Sequence, residues 1–333
     1  MAKKVGIPRG LFFYRFFPLW KAFFEELGAE IAISDRTTKK ILDDGVRSCV
    51  NEACFPVKLY HGHVINLKDK ADFLFIPRFT SISAGEYICP KFGGLPDMVR
   101  NTVKGLPEII DVEVNLVKSR RNAYKAAMAA GMRFCGSRKA VEKAFGLALE
   151  SYRHYRNAVK KGVLPCDIRI ERRGYCNNYT YDASSCIFCP SGLNIAVIGH
   201  AYNLYDNYAN MNLLGKLKKA GANIATIDAI DGRIMAEKAC ALPKRMFWDF
   251  GRRAAGGTLH MLEEKQIDGV IYVMSFGCGI DSFVCDIAKR LVKRHGDIPF
   301  IVLTIDEHSG EAGIDTRLEA FIDMIGRARK ADY

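Results

Sequence analysis

"GVIYVMSFGCGIDSFVCD", residues 269–286, sets a short apolar run ahead of a cysteine held between two glycines. Gly269 to Met274 is rich in β-branched side chains and apolar on both faces, the pattern of a strand buried inside a parallel sheet. Gly277 and Gly279 then fall in the turn. Beyond them "IDSFVCDIAKRLVKRHG", residues 280–296, predicts an amphipathic helix with Phe283, Ile287 and Leu291 on its apolar face, Asp281 at its start and Gly296 at its end. Cys278 is thereby expected at a strand-to-helix turn, on the sheet edge where open α/β folds bind ligands. Helix N-terminal N–H groups favour a thiolate there. A small buried cysteine filling a tight turn is the other reading of the same residue.

Working outward, the chain repeats itself. "LGAEIAISD" (27–35) and "AGANIATID" (220–228) share Gly-Ala-x-Ile-Ala-x-x-Asp, and each reads as a helix cap followed by a strand. Each is preceded by a strand and a helix: "KKVGIPRG" and "PLWKAFFEEL" in the first half, "LNIAVIGH" and "ANMNLLGKLKKA" in the second. Each is followed by another apolar strand, "DFLFIP" or "GVIYVM". The expected fold class is α/β, as two similar Rossmann-like lobes with mainly parallel sheets flanked by helices. The expected division is an N-terminal lobe with a long helix over residues 1–165, a cysteine-rich linker or insertion over 166–190, and a C-terminal lobe over 191–333. The long helix runs from Arg138 to about Lys161.

With 333 residues, 49% of them hydrophobic, the chain can bury a sizeable core. The apolar N-terminal stretch is broken by Arg9, Arg15, Pro18 and Lys21, short of the roughly 20 residues that a membrane span needs, and no small-residue cleavage site follows it. A cytoplasmic protein without membrane association is expected. Eleven cysteines in that compartment argue for metal ligation or catalysis rather than a disulfide framework. The formal charge of +12 sits largely on predicted helix faces, and no helix-turn-helix, RNA-binding signature or aromatic-interleaved basic strip occurs, so nucleic acid is not expected as a partner.

In the first half "RSCVNEACFPVKLYHGH" (47–63) offers Cys49 and Cys54, and "EYICPKFGGLPDM" (86–98) offers Cys89 after the strand "DFLFIP". By the repeat, Cys89 and Cys278 follow equivalent strands, and lobes that face each other would line one cleft with thiols from both. Cysteines on loops suit an iron–sulfur cluster, which takes three or four thiolates. Zinc accepts the same ligands, and the spacing of Cys49 and Cys54 does not separate the two.

Six stretches carry a more specific resemblance: "GIPRGLFFYRFFPLWKAFFEELGAE" (6–30), "CVNEACFPVKLYHGHV" (49–64), "YICPKFGGLPDM" (87–98), "YNLYDNYANMNLL" (202–214), "SFGCGIDS" (275–282) and "LTIDEHSGEAGIDTRLEAFIDMI" (303–325). The sequence resembles the acyl-CoA dehydratase activase-related family, which is akin to the D-components of 2-hydroxyacyl-CoA dehydratases and to double-cubane cluster proteins. The resemblance implies an oxygen-sensitive iron–sulfur cluster, [4Fe-4S] or double cubane, in the cleft between the lobes. It points to Cys49, Cys54, Cys89 and Cys278 as ligands, with Cys135 in "RFCGSRK" as the next candidate for a larger cluster. It also implies a homodimer and a separate ATP-hydrolysing activase (BadF/BadG-like) that reduces the cluster. The segment holding Cys166, Cys176, Cys186 and Cys189 departs from the family pattern. Its "CIFCP" is a C-x-x-C-P pair, open to a second cluster, to zinc, or to an inert loop.

No G-x-x-x-x-G-K-[ST] occurs, and "GCGIDS" lacks the third glycine of a dinucleotide fingerprint, so this chain is not expected to hydrolyse ATP itself. Clusters can have potentials several hundred millivolts below zero, and reducing such a centre demands an energy source. The expected function is an iron–sulfur component that accepts low-potential electrons for reductive chemistry on a small substrate, for example an acyl-CoA. A non-catalytic electron-transfer or cluster scaffold and a zinc-binding protein are the alternatives. His308 and Glu311, in "TIDEHSGEAG", are proton donor and acceptor candidates, against a capping turn whose polar groups bond backbone. The aromatics of Tyr202 to Asp206 either wall the cleft or pack a turn, and His61 and His63 stand near the cysteine loop as outer supports of a centre or as core histidines.

Overall fold

The computed structural model describes residues 2–173, 176–180, 192–264 and 267–331. The chain forms two compact units: one of Met1–Ala158, Pro165–Asp182 and Phe247–Asp249, the other of Val159–Leu164, Ala183–Met246 and Phe250–Tyr333. The first unit runs β1 (Lys4–Ile7), α1 (Phe13–Glu26), β2 (Glu30–Ile33), α2 (Lys39–Ser48), α3 (Phe55–Leu67), β3 (Phe73–Phe75), β4 (Arg78–Ser81), α4 (Pro90–Thr102), β5 (Glu108–Ile110), β6 (Glu113–Asn115), α5 (Asn122–Gly131) and α6 (Arg138–Lys160). The antiparallel hairpin β7 (Arg169–Arg173) and β8 (Cys176–Thr180) follows. Four strands pair in parallel in the order β2-β1-β3-β5, with Val5 opposite Ile31 on one side and Phe73 on the other. Val5, Ile7, Leu74 and Ile110 are fully buried, as short strands covered on both faces require. β4 and β6 form a second, two-stranded parallel pair.

The second unit runs β9 (Leu193–Gly199), α7 (Ala201–Leu204), α8 (Leu213–Lys219), β10 (Ala222–Thr226), α9 (Gly232–Ala239), α10 (Asp249–Glu264), β11 (Gly269–Ser275), α11 (Gly279–His295), β12 (Phe300–Ile305) and α12 (Glu311–Ala331). Its four strands pair in parallel in the order β10-β9-β11-β12, the same order as in the first unit. The repeat is therefore real at the level of topology. Gly28 and Gly221 end their helices at φ of +79° and +75°, a left-handed conformation that an L side chain would strain.

The core face of α11 differs from the expected one. Val284, Cys285, Ala288 and Val292 are buried, Ile287 and Leu291 are half-buried, and Phe283 is 59% exposed. The buried stripe is shifted by one residue because Asp281, rather than an apolar residue, enters the interior at the first turn. Among the described residues no helix is long and apolar enough to cross a membrane.

Candidate functional site

In the first unit, glycines bring two thiols toward each other. A Cβ on Gly62 would stand 1.8 Å from the Ile41 carbonyl oxygen, and one on Gly45 would stand 2.1 Å from that of Lys58, so α2 and α3 meet backbone to backbone only because both residues lack one. Cys49 caps the C-terminus of α2, and Cys54 is the N-cap of α3, whose first turn carries Pro56. Cys89 is likewise the N-cap of α4, followed directly by Pro90. A proline in the first helical turn has no N–H that needs an acceptor and a φ already set for the helix. Neither N-cap sulfur takes part in a capping hydrogen bond.

Cys54 lies within electrostatic reach of both Cys49 and Cys89. Burial pushes the Cys49 and Cys89 thiols up, and negative charge on Cys54 would raise both further, whereas Lys91 acts on both in the opposite sense and Lys58 on Cys49. A thiol within reach of two others, with Lys91 acting on two of the three and Lys58 on one, is a donor set that a metal would suit, because ligation fixes the thiolates and the lysines offset their charge.

In the second unit the ends of two adjacent strands meet. Gly199 of β9 pairs with Val273 of β11, so His200 and Cys278 follow neighbouring strands at their carboxyl ends. β10 lies on one side of β9 and β11 on the other, making this the point where the strand order reverses, the place where open parallel sheets bind ligands. Potential ligand atoms of His200, Cys278 and Asp281 lie within 4.8 Å of one another. Cys278 is the N-cap of α11. The His200 ring stacks on Phe250 at 3.5 Å and on Tyr202 at 4.7 Å. Asp281 is fully buried, and its carboxylate accepts from the Tyr272 hydroxyl at 2.7 Å and from the Ser275 N–H at 3.4 Å. Burial raises its pKa to about 7, against the pull of those two donors.

The other sequence candidates fall elsewhere. Cys135 packs on the aromatic core around Phe24 and Phe134. Cys166 is exposed and its thiol donates to Asp167; Cys176 opens β8; Cys186 and Cys189 lie outside the described residues. His308 is exposed, and its N–H donates to Asp306. Glu311 begins α12 and pairs with Lys216 at 2.8 Å. Tyr205 and Asp206 pack and cap, the first bonding Asp228 and the second the N–H groups of Tyr208 and Ala209, while Tyr202 faces His200. His63 is a satisfied core histidine between the Ser34 and Thr37 hydroxyls. His61 donates from Nδ1 to the Val57 carbonyl, leaving Nε2 buried without a described partner.

Sequence reasoning missed His200, the two lysines and the ligand role open to Asp281. The signal for His200 was its place directly after "LNIAVIG", the first strand of the second repeat. Asp281 was readable as a helix start but not as a buried carboxylate.

Residues 4–230 match the family described as CoA enzyme activase uncharacterised domain, and residues 205–325 match the family described as 2-hydroxyglutaryl-CoA dehydratase, D-component. Cys49, Cys54, Cys89 and His200 fall within the first match, and Cys278, Asp281, His308 and Glu311 within the second. No curated protein matches the chain.

Proposed function

The chain belongs to the family of the CoA enzyme activase uncharacterised domain, and from that premise we propose that it is a component of an acyl-CoA dehydratase-type system that holds an iron–sulfur cluster and accepts electrons from a separate ATP-hydrolysing activase. The observation that carries this reading is that Cys54 lies within electrostatic reach of both Cys49 and Cys89, with Cys54 and Cys89 at helix N-caps. The second match, over residues 205–325, supports the assignment to such a system, and Cys278, beside His200 and Asp281, is proposed as a metal ligand of the second unit. A bound cluster would supply one-electron chemistry at low potential. Around it, Lys58 and Lys91 counter the charge of the thiolates. Because burial holds Cys49 and Cys89 protonated as free thiols, ligation must release protons, and cluster retention is expected to weaken in acid. His308 and Glu311 are proposed as proton donor and acceptor on a small substrate, the roles these residue types most often take.

The experiment is anaerobic purification with iron, sulfide and zinc analysis, followed by reduction with an activase and ATP and reoxidation by acyl-CoA thioesters. The expected outcome is a brown protein with iron and sulfide, losing most of its iron in Cys54→Ser and Cys89→Ser and part of it in Cys278→Ser. A colourless protein, or one carrying stoichiometric zinc, overturns the reading. Reduction without any reoxidation by thioesters would leave an electron carrier in place of an enzyme.

A further inference from the structure

The first unit contains a cavity of about 170 Å³ that the thiol cluster does not use. Its walls come from α1, the end of β3, β4, the region of β6, α5 and α6, and all their lining side chains are apolar. One wall is aromatic: Phe79 stands between Phe16, stacked at 5.8 Å, and Trp20, at 6.2 Å with an interplanar angle of 30°. The facing wall is a row of alanines on α5, including Ala123 and Ala127, whose small side chains leave the space open. Leu149, 42% exposed, marks the rim.

A water molecule needs two to four polar partners to reside in a cavity, and this lining is almost wholly apolar, so ordered water is a poor occupant. Six elements line it, and it is half open to the surface, with Leu149 at the mouth. Its size is close to that of the roughly 150 Å³ apolar cavities that take up benzene. We propose that this pocket is a binding site for a small neutral aromatic or hydrocarbon molecule of about benzene to toluene size. Ring faces on one side and alanine methyls on the other suit a flat ligand, because aromatic groups gain from offset stacking beyond simple burial. A carboxylate or ammonium on the ligand would be buried without a partner and is excluded. The inference stands on the cavity alone and is independent of any cluster.

Trp20 lines the pocket and is one of two tryptophans in the chain, so it reports occupancy once Trp248 is replaced. The full chain carrying Trp248→Phe is titrated with toluene and, in parallel, with the toluate anion. Toluene is expected to change Trp20 emission saturably with one site per chain and to raise the thermal midpoint, while toluate does neither. Ala127→Leu, which fills the space, is expected to abolish the toluene response with an unchanged far-ultraviolet spectrum. If that variant does not fold, Ala123→Leu at the half-exposed end of the row serves the same purpose. No saturable response in the parent, equal responses to toluene and toluate, or full toluene binding in a folded filled variant each overturn the proposal. So does a toluene effect that appears only as dissociation of a dimer, which would give the surface to a second copy.

Discussion

The two parallel sheets share one strand order and handle the same sequence signature in opposite ways. In the first unit Asp35, which closes the first copy of the repeat, is exposed and bonds Lys70 at 2.7 Å and Asn66 at 2.8 Å; Lys70 beside it holds its carboxyl below the usual range. In the second unit its counterpart Asp228 is buried, paired with Arg253 at 2.8 Å and bonded by the Tyr205 hydroxyl at 3.0 Å. The repeat preserves the backbone course, set by Gly28 and Gly221, and leaves the fate of the carboxylate to what packs over it. The third strand shows the same freedom. β11 reaches the N-cap Cys278 across two residues, Phe276 and Gly277, whereas β3 reaches the N-cap Cys89 only after β4, whose pairing with β6 has no counterpart among the described residues of the second unit. That addition also supplies the aromatic Phe79 wall of the apolar pocket. Strand order and a thiol at a helix start are the common frame, and the insertion carries what is particular to the first unit.

The carboxylate pair offers the strongest way to break this comparison. Removing one partner of a buried ion pair leaves an uncompensated charge, so Asp228→Ala is expected to cost roughly 3–5 kcal/mol. Asp35→Ala removes an exposed pair and is expected to cost less than about 1 kcal/mol. Urea unfolding read by hydrogen exchange in each sheet measures both. Equal losses would mean that the two positions are equivalent after all.

Acid sharpens the contrast next. His63 is buried with both ring nitrogens occupied, and burial holds its pKa down to about 3; burial also lowers that of His61. An unfolded histidine titrates near 6.5, so below that pH the unfolded chain binds the proton that folded His63 refuses. Stability is therefore full above about pH 6.5 and is lost as the pH falls toward 3. Between pH 7 and pH 5 the loss is expected to be about 2 kcal/mol. Among the described residues the two wholly buried histidines, His61 and His63, both lie in the first unit, so exchange at pH 5 should accelerate in β1, β2 and α3 before it does in β9 and β11. His63→Asn should flatten the slope, and a slope that survives it would assign the acid sensitivity elsewhere.

Much of this frame was legible in the sequence. Both copies of Gly-Ala-x-Ile-Ala mark the same helix end and strand, and "GVIYVM" is a strand because seven consecutive residues from Gly269 can be covered on both faces. Cys54, Cys89 and Cys278 were readable as loop thiols, whereas the helix starts that Pro56 and Pro90 mark emerge only with α3 and α4. What the sequence withheld depends on partners distant in the chain. The α11 face was misread by one residue because Asp281 is buried by the Tyr272 hydroxyl, and His200 is a candidate ligand only because β9 pairs with β11. Glycines 45 and 62 look like weak helix residues until α2 and α3 are seen to touch through them.

The fourth strands give the finest test, since each ends in Ile-Asp. Asp111, after β5, accepts from Arg78 at 3.0 Å and from Arg100 at 2.9 Å, a partly exposed charge cluster. Asp306, after β12, instead accepts from the His308 N–H at 2.9 Å and from the Ser309 hydroxyl at 2.8 Å, closing a local turn. Losing a turn-closing acceptor resembles losing a helix cap, so Asp306→Ala is expected to cost about 1 kcal/mol and to do so equally at low and high salt. Asp111→Ala is expected to cost about 0.5 kcal/mol at low salt and almost nothing at 1 M, where exposed charges are screened within about 3 Å. His308→Ala, which keeps the backbone donor, should leave stability within about 0.5 kcal/mol of the parent. Chemical denaturation with urea at two salt concentrations separates the three. A salt-dependent loss at Asp306 would show that its carboxylate works as a charge rather than as the acceptor that closes the turn.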